Sequence, residues 1–505
     1  MEQNILKTGV ITNKTVYCDS VEQSVDTDFS LPDYCNDIAR ILKCKAVPRV
    51  SLKTVSGKTV TIDGTVNITV FYSDEDGRIN SYNQTYPFEK TKETDSDLDD
   101  ANVKVTAKCE YMNCRAVTSR KIDIHGAIGI KICAKKKNET EIISDIDDCR
   151  IETLRGTAPQ TSPTGYAEKY LIIEEDVELS SEKDGERIFC YDAVSTVKEA
   201  KIINGKVLIK GEMDLKLKYL SDEKIKSFNT SIPFSQVLDI ETAGEGCEVS
   251  AKSEVGFVEI TPRTDSSGNF NIVSVNAKVL VSAKTYCNND IPVILDAYSR
   301  KNLCEIEKEN IKFSRLVKNI NETFNCKKNI SVDSGSISSV LDNWCDVKIG
   351  ESGFDGNYMF INGSVTVSFI IEDSDGVASY FEKPIEFTYK YPIEGEDLRC
   401  EPEITISSCS YTIISTDSIE VRVDLNIKGA IYKDCEMSII TEISSGEETN
   451  DRGQNSAMIV YFASENENLW DIAKKYLASI SEIKAINGIN DETFKEEKTI
   501  LIPLS

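Results

Sequence analysis

Apolar and polar residues alternate with a period of two in three stretches, each built around a glycine: residues 60–72 around Gly64, 207–219 around Gly211 and 359–371 around Gly363. In all three, the positions four and two before the glycine, and two, four, six and eight after it, are apolar. Successive side chains of a strand point to opposite faces, so each stretch predicts a long antiparallel strand with one face on a core. A glycine at a fixed place in such a strand predicts a bulge or bend there. Asp76-Gly77 and Asp375-Gly376 then read as hairpin turns. The middle copy departs from that signal, with Ser221-Asp222-Glu223-Lys224. A proline followed by an apolar residue is the second landmark of each copy: Pro87-Phe88, Pro233-Phe234 and Pro384-Ile385. Another strand pair follows in each, at 103–116 with 121–134, 248–261 with 271–283, and 403–414 with 418–431. The glycines lie 147 and 152 residues apart, so the repeating unit has the size of a domain.

Residues 138–165, which include the proline- and threonine-rich run 157–165, predict a linker between the first unit (1–137) and the second (166–300). The third unit spans 301–443. Residues 444–455 are polar and charged and predict a flexible tether. The pattern then changes. Leu469, Ile472, Ala473 and Tyr476 recur at helical spacing, with Asn468 as N-cap. A second short helix ends at Gly488. With an apolar strand on either side, residues 456–505 predict a βααβ module. The fold class expected is therefore mainly β: three tandem β-sandwich-like domains and a small α+β module at the C-terminus.

Composition narrows the function. Among 505 residues, 58 are Lys or Arg and 84 are Asp or Glu, a net charge of −26. Nucleic acid and anionic membrane surfaces are bound through lysine and arginine, so neither is an expected partner. The single histidine, His125, sits in an alternating stretch and reads as a strand residue on a half-exposed face; no site with two histidine ligands is possible. The 16 cysteines include no C-x-x-C pair, which predicts reduced, mostly buried thiols, with crosslinking in an oxidising shell as the less favoured reading. The acidic run 93–100 lacks the glycine and glutamate of a calcium loop, and no phosphate-binding glycine loop occurs. No metal, no cofactor and no catalytic residue is expected. No apolar run reaches membrane-spanning length and no leader pattern opens the chain, which predicts a cytosolic protein without membrane insertion.

Residues 456–505 resemble a LysM domain, through Leu469-Trp470-Asp471-Ile472-Ala473-Lys474-Lys475-Tyr476, Ile483, Asn487 and Ile500-Leu501-Ile502-Pro503. LysM domains bind N-acetylglucosamine polymers such as peptidoglycan between the strand-to-helix loop and the loop after the second helix. The resemblance implies Asn466, Glu467, Asn468, Leu469, Trp470, Asn487, Gly488 and Ile489 as binding positions, with Trp470 as interface anchor. Asn466-Glu467-Asn468 stands where the family has Gly-Asp-Thr, and Glu465, Glu467, Glu492, Glu496 and Glu497 crowd the loops with negative charge. Those departures favour protein docking over sugar. The β-rich units resemble SPOCS domains of clostridial sporulation proteins, through the Gly-centred strand, the Pro-Phe landmark, and Phe29-Ser-Leu-Pro-Asp-Tyr34 with Ile38. Copy three is looser, with Ile371 and Ile385 in the aromatic places. SPOCS units followed by a LysM are similar to the architecture of SipL-type spore morphogenetic proteins. That resemblance implies a non-enzymatic coat scaffold at the forespore surface, in the mother-cell cytoplasm. Its implied partners are the morphogenetic ATPase of the coat's basement layer and other coat proteins, with peptidoglycan as the alternative.

Overall fold

The structure is a computed structural model that describes residues 4–179, 187–221, 224–244, 246–264, 270–332, 336–448 and 458–503. The first unit holds β1 (Asn4–Ser30), β2 (Arg40–Ser56), β3 (Thr59–Ser73), β4 (Ile79–Glu93), β5 (Asn102–Thr118) and β6 (Lys121–Asp147). The second holds β7 (Ile151–Glu178), β8 (Arg187–Ile203), β9 (Lys206–Ser221), β10 (Lys224–Asp239), β11 (Cys247–Thr264) and β12 (Phe270–Ser299). The third holds β13 (Asn302–Ser331), β14 (Ser339–Asp355), β15 (Tyr358–Glu372), β16 (Ala378–Pro392), β17 (Leu398–Ser415) and β18 (Ser418–Glu448). The C-terminal module is β19 (Met458–Ala463), α1 (Leu469–Tyr476), α2 (Ile480–Asn487) and β20 (Lys498–Pro503).

Each unit is two antiparallel three-stranded sheets face to face. One is a meander, ordered β2-β3-β4, β8-β9-β10 and β14-β15-β16. The other joins the unit's first strand to its last two, ordered β1-β6-β5, β7-β12-β11 and β13-β18-β17. The patterned strands β3, β9 and β15 are the centres of the meanders. All eighteen of their alternating apolar side chains are buried, against β6, β12 and β18. Gly77 and Gly376 turn the hairpins with φ of 79°, a left-handed conformation that favours glycine. Residues 222 and 223 of the middle turn lie outside the described residues.

The repeat glycines are needed for a different reason from the one the pattern suggests. The strand that carries them is regular; the bulge is in its neighbour. Val50 pairs with Gly64 and Leu52 with Asp63, which leaves Ser51 unpaired. The same irregularity follows Val197 opposite Gly211 and Ile349 opposite Gly363. On the other side, Phe88, Phe234 and Phe387 pair directly with the three glycines and lay their rings over them. The third landmark is thereby corrected. Pro384 pairs with Thr366, two positions off, and Phe387 rather than Ile385 takes the aromatic place. The third copy keeps the ring opposite its glycine and lacks the proline beside it.

Residues 138–165 are not a linker. They belong to β6 and β7, which run on beyond the sandwiches. Asn4 pairs with Asp147, Ile151 with Ser299 and Asn302 with Glu448, so each unit ends in a long two-stranded ribbon. The three ribbons pack together. Val10, Ala158 and Ile311 share one cluster with Ile142, Val293 and Ile439, while Ile143, Ile294 and Ile440 share a second. A one-residue bulge at Ser144, Leu295 and Thr441 recurs in all three. Pro159 and Pro163 lie on β7, the outer strand of its sheet, where a missing N–H is tolerated. The tether 444–455 begins as the last residues of β18, and 449–455 lie outside the described residues.

The meanders of the three units also meet. Phe71 of the first lies 5.7 Å from Phe189 of the second and 5.8 Å from Trp344 of the third, ring centre to ring centre. Where the first and third central strands place Phe71 and Ile370, the second places Lys218. Its ammonium is satisfied by Asp342 at 2.7 Å and the Leu341 carbonyl at 2.6 Å. The chain is thus one body of three interlocked units rather than beads on a string.

The cysteine expectation is corrected in part. Cys18 and Cys133 are joined as a disulfide, as are Cys247 and Cys287, each pair directly opposed on neighbouring strands. Partners 115 and 40 residues apart leave no local spacing signal. Of the other cysteines, only Cys35, Cys44, Cys190 and Cys326 are buried. His125 is a strand residue on an open face. Its ring nitrogens lie 2.9 Å from Asp26 and 3.2 Å from Asp123, and these carboxylates, Asp26 first, raise its pKa.

Candidate functional site

The C-terminal module is built on capped short helices. The Asn468 side chain accepts the Trp470 backbone N–H at 2.9 Å to start α1, and the Ser479 hydroxyl caps α2. Gly488 closes α2 with φ of 60°. Leu469, Ile472, Ala473 and Ile483 pack on Ile500 and Ile502 of the two-stranded sheet.

The positions singled out in sequence separate by role. Asn466, Asn468 and Gly488 are exposed at the rim of the loops, Glu467 and Asn487 are half-buried, and Leu469, Trp470 and Ile489 are buried. Glu467 is committed within the module. It accepts the Tyr461 hydroxyl at 2.5 Å and the Ser464 N–H at 2.9 Å, and these bonds lower its pKa. Asn487 is a clamp: its amide donates to the carbonyls of Ile483 at 2.8 Å and Leu501 at 2.7 Å, and its oxygen accepts the Leu501 N–H at 2.7 Å. The two loops that flank a LysM groove are tied by their backbones. The Asn466 N–H donates to Phe494, the Phe494 N–H to Glu467 and the Leu469 N–H to Glu492, all between 2.7 and 3.0 Å. Glu465, Asp491, Glu492, Glu496 and Glu497 are exposed around them.

Trp470 faces inward, and what it packs on is not its own module alone. Its indole N–H donates to Asp296 on the second unit's ribbon at 2.9 Å, and its ring meets Tyr298 edge-on at 5.1 Å. Lys474, one turn further along α1, reaches the same carboxylate oxygen at 2.6 Å, and Lys308 lies 2.9 Å from the other oxygen. The Tyr298 hydroxyl donates to the Ala478 carbonyl at 2.6 Å. Burial raises the Asp296 pKa, but the bonds from Lys474, Trp470 and Lys308 outweigh it and hold the carboxyl at about 2. The module is therefore seated on the end of a ribbon through one face of α1 and the start of α2. Trp470 lies off the helical stripe of Leu469, Ile472, Ala473 and Tyr476, and its partners Asp296 and Tyr298 carry no sequence signal before the ribbon is known.

The opposite side of the module is open. Met458, Val460 and Phe462 alternate on the outward face of β19, and Leu501 stands beside Val460. Phe462 is 75% exposed. The apolar run 458–463 is the signal that reveals it: both faces of a two-stranded sheet are apolar although only one is covered by helices.

A family model described as the SPOCS domain of SipL matches residues 37–117 and 184–262, and a LysM domain model matches 464–503. The chain carries two SPOCS domains and a LysM domain. The SPOCS matches cover the meander and the strand that follows it in the first two units. The third unit repeats their bulges and ring-over-glycine pairing outside any matched segment. SPOCS domains belong to sporulation proteins, and LysM is a peptidoglycan-binding type of domain, so the content is that of a sporulation-related protein built from binding domains. No helix among the described residues is long and apolar enough to cross a membrane. No curated protein and no solved structure gives a significant match.

Proposed function

We propose that this chain is a non-enzymatic scaffold of endospore coat assembly, acting at the forespore surface in the mother-cell cytoplasm. Its LysM module docks on the morphogenetic ATPase of the basement layer, and its SPOCS units hold other coat components. The observation that carries the reading is the outward sheet face of the module, where Met458, Val460, Phe462 and Leu501 stand in solvent. Clustered exposed apolar side chains on a small domain are typical of protein interfaces. Binding modules joined in one rigid body also raise effective concentration without strong single contacts.

The test uses the full chain. Immobilised wild-type protein is expected to retain the purified coat ATPase, and Val460→Asp with Phe462→Asp to lower that retention at least tenfold while leaving the melting temperature within a few degrees. Retention unchanged in the double variant overturns the docking surface. The second reading is peptidoglycan binding, favoured by the LysM match and by the exposed Asn466, Asn468 and Gly488 at the loop rim. Co-sedimentation of the full chain with purified sacculi, without retention of the ATPase, decides for it.

A further inference from the structure

The first and second units form an open cleft of about 320 Å³. Its wall is cationic in a chain that is strongly acidic overall. Arg49, Lys53, Lys104 and Lys108 line it from the first unit, and Lys252 and Lys284 from the second; Glu168 and Glu254 are the carboxylates in the lining. Glu403 reaches the same lysines from the third unit, 2.8 Å from Lys104 and paired with Lys252.

The carboxylates do not balance the wall. Glu168 is taken by Lys53 at 2.8 Å and by the Tyr166 hydroxyl. Glu403 is shared by two lysines, and burial of its carboxyl is outweighed by Lys252 and Lys104, which hold it at about 2. Arg49 turns its guanidinium to Asp192 at 3.5 Å, and its Nε has no hydrogen-bond partner. Lys284 makes no ion pair among the described residues. Its ammonium lies 5.9 Å from the Tyr166 ring. Six cations against four carboxylates, Glu168, Glu254, Glu403 and the Asp192 that pairs with Arg49, leave an excess of two positive charges around one cleft. Lys104, Lys108 and Lys284 are exposed and Lys252 is half-buried, and like charges clustered this closely repel one another unless a counter-charge joins them. A pocket of this size with convergent lysines and tyrosine hydroxyls has the form of a small-ligand site.

We propose that this cleft binds a small oxyanion carrying two or three negative charges, held by Lys104, Lys252 and Lys284 at the junction of the three units. A phosphate and a short polycarboxylate share that chemistry. The ligand would tie β5 and β11 together through charge-assisted hydrogen bonds and so couple the first two units to Glu403 of the third.

The environment of Lys284 sets a pH dependence. Burial, then Lys252, Lys135 and Lys104, lower its pKa to about 8, with Glu403 opposing. Around it stand Lys252 and Glu254 of β11, Lys104 of β5, Lys135 of β6, Glu403 of β17, and Tyr166 and Glu168 of β7. The ammonium is charged below about 8 and lost above it, so anion binding weakens as pH rises through that value.

The test is thermal denaturation of the full chain at pH 7 and constant ionic strength, with inorganic phosphate in one arm, citrate in a second and chloride alone in a third. Phosphate or citrate is expected to raise the melting temperature by several degrees over chloride, the more effective arm identifying the ligand class. Lys284→Gln is expected to fold at least as well without anion, since it removes like-charge repulsion, and to lose most of that rise. Lys58→Gln, at an exposed turn, should keep it. No rise over chloride in either arm, or an equal rise in Lys284→Gln, overturns the proposal. Isothermal titration at pH 7 and pH 9 gives a second reading, with at least a tenfold weaker association expected at pH 9; equal affinity at both counts against the site.

Discussion

Replacing Gly363 with alanine is expected to destabilise the chain by about 2–3 kcal/mol, the upper part of the range seen when backbone must shift to admit an atom into a packed core. A Cβ there would sit 2.6 Å from the Lys348 carbonyl oxygen and 2.6 Å from the Phe387 ring. The ring can swing aside; the carbonyl belongs to the bulged neighbour strand and cannot. The same pair of obstacles, a carbonyl and a ring, meets a Cβ at Gly64 and Gly211, so the three substitutions should behave alike although the third unit lies outside the family matches. Removing the ring as well, in Gly363→Ala with Phe387→Ala, should not restore stability, because the carbonyl contact remains and a cavity is added. Gly244→Ala is the control, since nothing lies within 4 Å of its added carbon. Urea denaturation of the full chain measures each difference. A Gly363→Ala midpoint equal to that of Gly244→Ala would show that the bulge relaxes freely.

Asp296→Ala is expected to loosen the LysM module on the ribbon while leaving both folded. The substitution strands the Trp470 indole N–H and two ammonium groups, those of Lys474 and Lys308, around an empty site. Asp296 is half-buried and Lys474 and Lys308 are 41% and 37% exposed, so solvent screens both pairs, and losing the carboxylate is expected to cost about 1–3 kcal/mol, mostly through the indole hydrogen bond, which is enough to loosen a module held through one helix face. The chain has two tryptophans, so in a Trp344→Phe background the emission reports Trp470 alone. A red shift of that emission and new protease cleavage between the ribbon and β19 are the expected signs. Unchanged emission would mean that Tyr298 and the apolar contacts suffice. The pH dependence has a definite sign. The Asp296 pKa is lowered in the folded chain, to about 2, so its contribution is complete above the unfolded value near 4 and fades as pH falls through about 2. Asp296→Asn should remove that acid-side loss.

This seat changes what Trp470 can do. An indole locked on Asp296 and Tyr298 is not an anchor for an outside partner while the module is seated. The outward β19 face and the loop rim are what a partner meets. An ATPase that needed Trp470 would bind only the released form, and Asp296→Ala would then raise its retention; a partner on the sheet face would be indifferent to it.

Alternation was visible wherever one face of a strand meets a core and the other meets water, as in β3, β9 and β15. It was lost where ribbons pack on ribbons. Residues 157–165 read as a linker because proline, threonine and glycine have no periodic signature. Their strand state is imposed by β12 on one side and by the packing of Ala158 among the other two ribbons. Phe387 carries no proline beside it to mark it, whereas the physical requirement is a ring opposite a glycine. The two disulfides become visible only with the register, which places Cys18 against Cys133 and Cys247 against Cys287. In the module, helices and caps were readable from spacing and capping chemistry. The half of the dock supplied by Asp296 and Tyr298 was not, because nothing local marks a residue that serves an element more than 170 positions away.

The ribbons also set the order in which the chain can be made. β1 emerges before its partner β6, which ends at Asp147, so Asn4 waits for more than a hundred residues to be synthesised before its strand can close. At ordinary translation rates of about 5–20 residues per second, that interval is on the order of ten seconds for each unit. Throughout it, a long strand edge is unpaired and open to adhesion. Two nascent chains side by side on one message would offer each other the same edge. Trigger-type chaperones that shield such edges should therefore matter more to the yield of this protein than its final stability suggests.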